Sequence, residues 1–235
     1  MLSGVVVAAE IKVALANNES PYFVSVAENG VWSGFHVDMV NALCAEMQSK
    51  CTLTALAQNK LLTALQNGEI DAIVALPAGE DYETGILQSQ RYYKNGARFV
   101  TADSNSAKVA YKKMAGQNIG VLQNSIFDVF ASEKFHAVNI KRYRDMASAY
   151  AALKQDKVDY VLGDRIAQFT WAAAEEGYRT KGPNYSTAKY FSDMVIVVDQ
   201  QQLLQQFNAA LATVRENGTY KEISKRYFPF DIYGR

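Results

Sequence analysis

Apolar residues along this chain alternate between strand-like runs and helix-like spacing. Strand-like runs occupy residues 11–15, 51–56 and 70–76. Helix-like spacing follows Gly34 over residues 34–48, and a second helical pattern centred on Leu61, Leu62 and Leu65 ends at Gly68. The order strand, helix, strand, helix, strand predicts a mostly parallel sheet covered by helices.

A second series of the same kind begins after residues 97–100. No Gly/Ser-rich linker separates the two series, so two α/β lobes with a cleft between them are expected. Lobe one comprises residues 11–94 plus 196–235, and lobe two comprises residues 98–192. The remaining predicted strands are 118–122, 138–143, 158–162 and 194–198, and the remaining helices are 126–135, 146–154, 165–176, 201–216 and 221–227.

Composition narrows the class of protein. The 235 residues are 49% hydrophobic and 20% charged, which is typical of a globular chain with a real core. Twenty-four basic residues balance twenty-four acidic ones, so no nucleic-acid partner is expected. No apolar run approaches the roughly 20 residues that span a bilayer. Residues 1–10 are interpreted as a remnant of a secretory signal or as residues added for expression.

The two histidines, His36 and His136, have neither metal-ligand nor triad spacing, and no catalytic motif is present. We expect His36 to be exposed on the polar side of its helix. The pattern therefore predicts no metal, no cofactor and no enzymatic activity.

Cys44 and Cys51 are the only cysteines. Cys44 lies near the end of a predicted helix and Cys51 opens the following strand. A helix-to-strand turn can hold two Cβ atoms within disulfide reach, but two buried free thiols are equally compatible with the spacing.

Several motifs occur in the same order as in a known family. The chain resembles the periplasmic solute-binding proteins of polar-amino-acid ABC transporters, particularly the lysine/arginine/ornithine- and histidine-binding branch. The resemblance runs from about residue 11 to the end. The matching pieces are Gly34-Phe35-x-x-Asp38, the pair Cys44 and Cys51, and residues 65–73, 119–125, 158–164, 217–220 and 227–234.

The resemblance implies a fold, a location and partners. It implies a type II binding-protein fold, with two lobes joined by two hinge strands that close on a small-molecule ligand. It further implies a Cys44–Cys51 disulfide, a periplasmic monomer, and delivery of the ligand to a membrane ABC permease. A dehydratase-like enzyme on the same fold and a ligand-sensing input domain remain as alternatives.

Members of this family hold an amino acid by its charged head. An arginine of lobe one binds the α-carboxylate with two parallel hydrogen bonds, and an aspartate of lobe two binds the α-ammonium. Asp164 occupies the aspartate position, although a simple helix N-cap is the alternative. Tyr82 stands at the arginine position, after Pro77, and no basic residue lies between Lys60 and Arg91. The resemblance therefore implies a ligand site without its usual carboxylate clamp.

Further candidates follow the other predicted strands. Glu19, Tyr22 and Phe23 occupy the place of the family's aromatic lid and side-chain reader, and Gln58 stands where relatives often have a stacking aromatic residue. Asn124 and Ser125 open a helix whose amides are a possible replacement anchor for an anion, or only a cap. Arg91 and Arg98 are considered as displaced clamps, with a surface or hinge position as the more favoured alternative. A negatively charged site of this kind favours a cationic amine or a basic amino acid.

Overall fold

The structure, a computed structural model, describes residues 10–17, 23–79, 82, 84–111 and 113–234. The chain forms two compact units. The first contains the residues up to Lys94 together with those from Asp193 onward, and the second is Asn95–Ser192. Residues 1–9 of the predicted leader lie outside the described part, and Glu10 already belongs to the first strand.

The strands of the first unit, numbered along the whole chain, are β1 (Glu10–Ala16), β2 (Ser25–Val26), β3 (Trp32–Ser33), β4 (Lys50–Leu56), β5 (Ala72–Pro77), β6 (Leu87–Gln88), β7 (Tyr93–Lys94) and β13 (Asp193–Val198). They form a six-stranded sheet in the order β4-β1-β5-β13-β6, with β7 also pairing with β13. Its core strands β1, β4 and β5 are parallel, as predicted, whereas β13 joins antiparallel to β5. A separate small hairpin is formed by β2 and β3.

Four α-helices accompany this sheet: α1 (Phe35–Glu46), α2 (Leu61–Gln66), α6 (Gln201–Glu216) and α7 (Thr219–Tyr227). A short 3-10 helix, Gln58–Lys60, precedes α2. Gly34 begins α1 with φ 122°, and a Cβ there would lie 2.4 Å from the carbonyl oxygen of Phe23. Glycine is required at this position because the backbone of residue 23 passes so close.

His36 contradicts the expectation of an exposed side chain. It is 0% exposed, its Nδ1 lies 3.1 Å from the Tyr92 hydroxyl, and its ring stacks on Phe23 at 4.5 Å. The cause is an aromatic cluster that also includes Phe35 and Tyr93. Since Tyr92 and Tyr93 are distant in sequence, the local polarity around Asp38 does not reveal this burial.

The strands of the second unit are β8 (Ala97–Ala102), β9 (Asn118–Leu122), β10 (Asn139–Tyr143), β11 (Tyr160–Asp164) and β12 (Tyr178–Tyr185). They form a five-stranded sheet in the order β10-β9-β11-β8-β12. β9 pairs in parallel with β10 and β11, while β8 is antiparallel to β11 and to β12.

Three helices, α3 (Ile126–Lys134), α4 (Met146–Lys154) and α5 (Arg165–Ala174), follow the three parallel strands of this unit. Each begins at a residue whose side-chain oxygen accepts hydrogen bonds from the exposed amides of the first turn. These N-caps are Ser125, Asp145 and Asp164. The predicted class, α/β with parallel strands flanked by helices, is confirmed, and the antiparallel strands β8, β12 and β13 extend it.

Cys44 and Cys51 form a disulfide with a Cα–Cα distance of 6.2 Å. The bond connects the last turn of α1 to β4, which lies at the edge of the first sheet. The described residues include no helix long and apolar enough to cross a membrane.

Candidate functional site

In the first unit, the predicted ligand residues follow the carboxyl ends of three neighbouring parallel strands. Ala16 of β1 pairs with Leu56 of β4, and β5 pairs with β1 on the other side. Loops after such ends meet at one edge of a sheet, where ligands of α/β proteins commonly bind. Gln58 is exposed there in the short 3-10 helix. Glu19 and Tyr22, also predicted for this edge, lie outside the described residues.

Tyr82 lies over the loop that follows β5. Its hydroxyl donates a 2.7 Å hydrogen bond to the carbonyl oxygen of Pro77, and its half-buried ring packs against the apolar cluster that includes Leu61 and Leu76. The phenol thus closes its own loop, and its one proton is already donated. A neutral phenol bound in this way has no positive charge to offer a carboxylate.

Phe23 has little surface available to a ligand. The residue is 7% exposed, and its ring lies against His36, Tyr93 and Phe228. The structure therefore places Phe23 within the aromatic cluster of the first unit.

In the second unit, Asn124 and Ser125 connect β9 to α3. Asn124 is exposed and has a left-handed backbone, with φ 59°. The Ser125 hydroxyl donates to the carbonyl oxygen of Leu122 at 2.6 Å and accepts from the amide of Asp128 at 3.3 Å. Both hydrogen-bonding functions of Ser125 are thus used in capping α3.

The Asp128 carboxylate in the first turn of α3 is a feature that the sequence analysis missed. The single N–H of Arg142 Nε is shared between the two carboxylate oxygens, at 2.8 and 3.0 Å, and the amide of Asn124 donates to Oδ2 at 3.4 Å. Burial alone would raise the pKa of Asp128, but the Arg142 guanidinium and the other donors hold that pKa below its ordinary value. The start of α3 therefore already contains an anion of its own, which weakens the case for a ligand carboxylate there.

Asp164 ends β11 and caps α5. Its Oδ1 accepts from the amides of Ile166 and Ala167, both at 2.9 Å. Burial raises the pKa of Asp164, although these two amides and the adjacent Arg165 oppose the rise. Capping and ligand binding are compatible, because both amides bind the same oxygen and Oδ2 remains to accept a hydrogen bond from an ammonium group.

Tyr150 and Gln168 lie behind Asp164 and were also missed. The Tyr150 hydroxyl donates to Gln168 Oε1 at 3.2 Å, and Gln168 Nε2 donates to the carbonyl oxygen of Val161 at 3.3 Å. Burial and the nearby Asp164 charge raise the pKa of Tyr150. No sequence motif indicates this polar group, because its three residues come from α4, α5 and β11.

Arg91 and Arg98 have structural partners. Arg91 Nε forms a 2.8 Å ion pair with Asp193, and Arg98 Nη1 donates to Asn184 Oδ1 at 3.2 Å. Burial lowers the pKa of Arg98. These contacts favour the structural alternative for both residues over a displaced carboxylate clamp.

Nearly the whole chain matches the profile of one protein family. The profile described as bacterial extracellular solute-binding proteins, family 3, matches residues 11–230. This chain belongs to that family. Its members bind small amino-acid ligands outside the cytoplasm and deliver them to an ABC permease. The disulfide is consistent with the oxidising compartment expected of such proteins.

Curated relatives cover most of this family-3 chain. The L-arginine-binding protein of Pseudomonas aeruginosa is 32% identical over 223 residues, spanning 91% of this chain and 86% of the relative. The lysine/arginine/ornithine-binding periplasmic protein of Escherichia coli K12 is 30% identical, spanning 90% and 85%. These relatives are binding proteins, which removes the dehydratase alternative.

Solved structures agree with the two-lobe fold. The L-cystine solute receptor of Neisseria gonorrhoeae superposes with a TM-score of 0.81 at 16% identity, covering 96% of this chain and 95% of that chain. A periplasmic binding protein of Salmonella typhimurium, described as having high arginine specificity, gives 0.64 at 25% identity, covering 94% and 100%.

Proposed function

We propose that this family-3 protein captures a cationic amine, or a basic amino acid held mainly by its ammonium and its side chain, for a periplasmic ABC import system. The protein acts as a monomer without a nucleic-acid partner and passes the ligand to a membrane permease. Family membership does not determine which charged group of the ligand is recognised; the proposal assigns this role to the cationic groups.

The observation that carries the proposal is the hydrogen bond from Tyr82 to Pro77 at the place of the family's arginine clamp. Binding a carboxylate away from water requires a charge-assisted partner, since an uncompensated buried charge costs several kcal/mol. The segment between Lys60 and Arg91 contains no basic residue. A ligand that depends on its carboxylate therefore gains little from this loop.

Asp164 is the proposed partner of the ligand's ammonium group. A carboxylate whose pKa is raised by burial gains free energy when a cation replaces its lost water. In this account an ammonium donates to Oδ2 while the α5 amides remain on Oδ1. Gln58 and Asn124, both exposed at the carboxyl ends of their own sheets, are proposed as polar contacts to the rest of the ligand.

A thermal-shift screen tests the ligand class. Basic amino acids, amines and acidic amino acids are compared, since a ligand at 100 times its Kd stabilises by about 2.7 kcal/mol. The proposal expects the largest shifts from cations. Larger shifts from glutamate or aspartate contradict it.

A pair of variants tests the residue. Asp164→Asn keeps a good N-cap but removes the charge, and Asp145→Asn makes the same change at the cap of α4, where the carboxylate accepts from Ser148 at 2.7 Å. Asp164→Asn is expected to weaken a cationic ligand at least tenfold, while Asp145→Asn leaves its affinity unchanged. Equal effects of the two variants remove Asp164 from the site.

A further inference from the structure

A cavity of about 660 Å³ opens beside α7 in the first unit. This volume falls in the range of pockets that bind small molecules, roughly 300–1,000 Å³. The cavity is formed by the end of α6, one face of α7 and the chain that follows α7. None of its lining residues comes from the loops after β1, β4 and β5. Six residues define its chemistry: Arg215, Lys221, Lys225, Phe228, Phe230 and Tyr233.

One part of the wall is aromatic. Phe230 is half-buried, with part of its surface open, and its ring lies 5.9 Å from that of Phe228, which is 2% exposed and supports it from behind. Tyr233, also half-buried, is held in place by Arg215, whose guanidinium carbon lies 4.8 Å from the ring centre and whose Nη1 donates to the hydroxyl at 2.7 Å. The open parts of Phe230 and Tyr233 offer a flat apolar molecule an aromatic contact.

The rim is cationic. Arg215, Lys221 and Lys225 face one acidic residue in the lining, Asp231, whose Oδ1 accepts from the backbone amides of Tyr233 and Gly234. Lys225 has only a long 3.7 Å ion pair with an exposed Glu222, and Lys221 has no ion pair in the described part of the chain. Positive charge is therefore in excess at the opening.

A neighbouring cavity of about 650 Å³ lacks this combination of aromatic rings and excess positive charge. It shares Lys221 but has no aromatic lining, and its charged residues balance: Asp38 and Glu222 against Lys221 and Arg226. Asp38 and Arg226 are also paired at 3.0 Å. Of these two cavities, only the first combines aromatic surface with an excess of cationic side chains.

We propose that the cavity lined by Phe230 and Lys225 binds a small organic anion with an aromatic ring, the ring against Phe230 and Tyr233 and the anionic group at Lys221 and Lys225. The rings contribute the apolar contact, and the two ammonium groups select a carboxylate, sulfonate or phosphate over a neutral or cationic group. This second site prefers the opposite charge from the ligand of the import site, and it does not depend on that proposal.

Isothermal titration with three matched probes tests the second site. 2-Naphthoate, 2-naphthalenemethanol and 2-naphthylmethylamine share one ring system and differ in charge. The proposal expects saturable 1:1 binding of naphthoate, at least tenfold weaker binding of the alcohol, and no displacement of bound naphthoate by the amine, whatever the amine binds at the import site. Absence of saturable naphthoate binding up to about 1 mM, an affinity near 4 kcal/mol, overturns the proposal, as does displacement of naphthoate by the amine at a comparable concentration.

Variants locate the binding. Lys221→Ala/Lys225→Ala is expected to weaken naphthoate at least tenfold and to leave the weak binding of the alcohol within twofold. Phe230→Ala is expected to weaken both probes. The control Lys50→Ala/Lys157→Ala removes two exposed lysines elsewhere and should change nothing. Unchanged naphthoate affinity in the Lys221→Ala/Lys225→Ala protein, with its unfolding temperature retained, overturns the assignment.

Discussion

The Tyr82 hydroxyl donates its proton to the Pro77 carbonyl oxygen at 2.7 Å, across the loop where the family resemblance implies an arginine. One side chain thus both closes the loop and removes the positive charge that a carboxylate requires. Any α-carboxylate of a ligand must find its partner elsewhere, and the start of α3 already contains the Asp128 carboxylate.

Tyr82→Arg restores the missing guanidinium and is expected to improve binding of arginine relative to its decarboxylated analogue agmatine by at least tenfold. The reason is that a guanidinium can make two charge-assisted bonds to a carboxylate. Tyr82→Phe is the control: it removes only the bond to Pro77, costs about 0.5–1.5 kcal/mol of stability and leaves the ratio of the two ligands unchanged. Titration calorimetry measures both ratios. An unchanged ratio in Tyr82→Arg means that this loop does not face the ligand.

Gly34→Ala is expected to destabilise the protein by more than about 3 kcal/mol, because the new Cβ adds a steric clash to an unfavourable backbone. The clash is with the carbonyl oxygen of Phe23, 2.4 Å away. Gly30→Ala is the matched control, since Gly30 also has a positive φ, 79°, but no atom within 4 Å of the added Cβ. Urea unfolding of both variants measures the difference. Similar losses would show that backbone strain, and not the contact, governs position 34.

Much of the fold was predictable where local signals agree. Helices α4 and α6 begin and end at the predicted residues, because a long apolar period coincides with clear boundaries such as the Asp145 cap and Asn217-Gly218. Strand β12 was not predicted, since Gly182 and Pro183 interrupt its pattern and its pairing partner β8 lies far away in sequence. The hairpin of β2 and β3 has strands of two residues each, too short to show a period.

For the candidate site, the sequence predicted where the residues lie along the strands but not which side chains they contact. Asp164 was predicted at the end of its strand and Ser125 after its strand, and both lie there, because the end of an apolar run marks the carboxyl end of a strand. Their partners were not predictable. The Asp128–Arg142 pair and the Tyr150–Gln168 hydrogen bond join residues 14 and 18 positions apart, and His36 contacts Tyr92 across 56 positions. Such contacts depend on tertiary packing, on which local sequence patterns carry no information.

The Asp128–Arg142 pair predicts a loss of stability in acid. The folded-state pKa of Asp128 is lowered, so its contribution is fully present above the unfolded pKa of about 4 and is lost as pH falls through the folded value. Arg142→Ala should lower the free energy of unfolding modestly at neutral pH, because the Arg142 side of the ion pair is half exposed, and should have a smaller effect well below about pH 4, where Asp128 is protonated. Denaturant unfolding at both pH values measures this change.

Arg144→Ala is the control for that experiment. Arg144 pairs with Asp145 at 3.0 Å, but its side chain is 83% exposed, so little effect is expected at either pH. An Arg142→Ala cost that does not diminish in acid would show that the side chain contributes by packing and not by its charge.

Reduction of the Cys44–Cys51 disulfide is expected to lower the free energy of unfolding by about 2–3 kcal/mol, the value of the loop-entropy model for a short loop. Cys44→Ser/Cys51→Ser should show a similar loss, and reductant should have no further effect on that variant. Intact mass after alkylation without reductant provides the complementary check. Uptake of two alkyl groups by the denatured, unreduced protein would disprove the bond.

In the proposed function, recognition depends on the ligand's cationic groups and not on an α-carboxylate. Arginine and agmatine test it most directly, because they differ only in that carboxylate. Titration calorimetry of both against the same protein is expected to give affinities within about tenfold, a difference below 1.4 kcal/mol. If removing the carboxylate lowers the affinity a thousandfold or more, another group of the protein binds that carboxylate, and the proposal is contradicted.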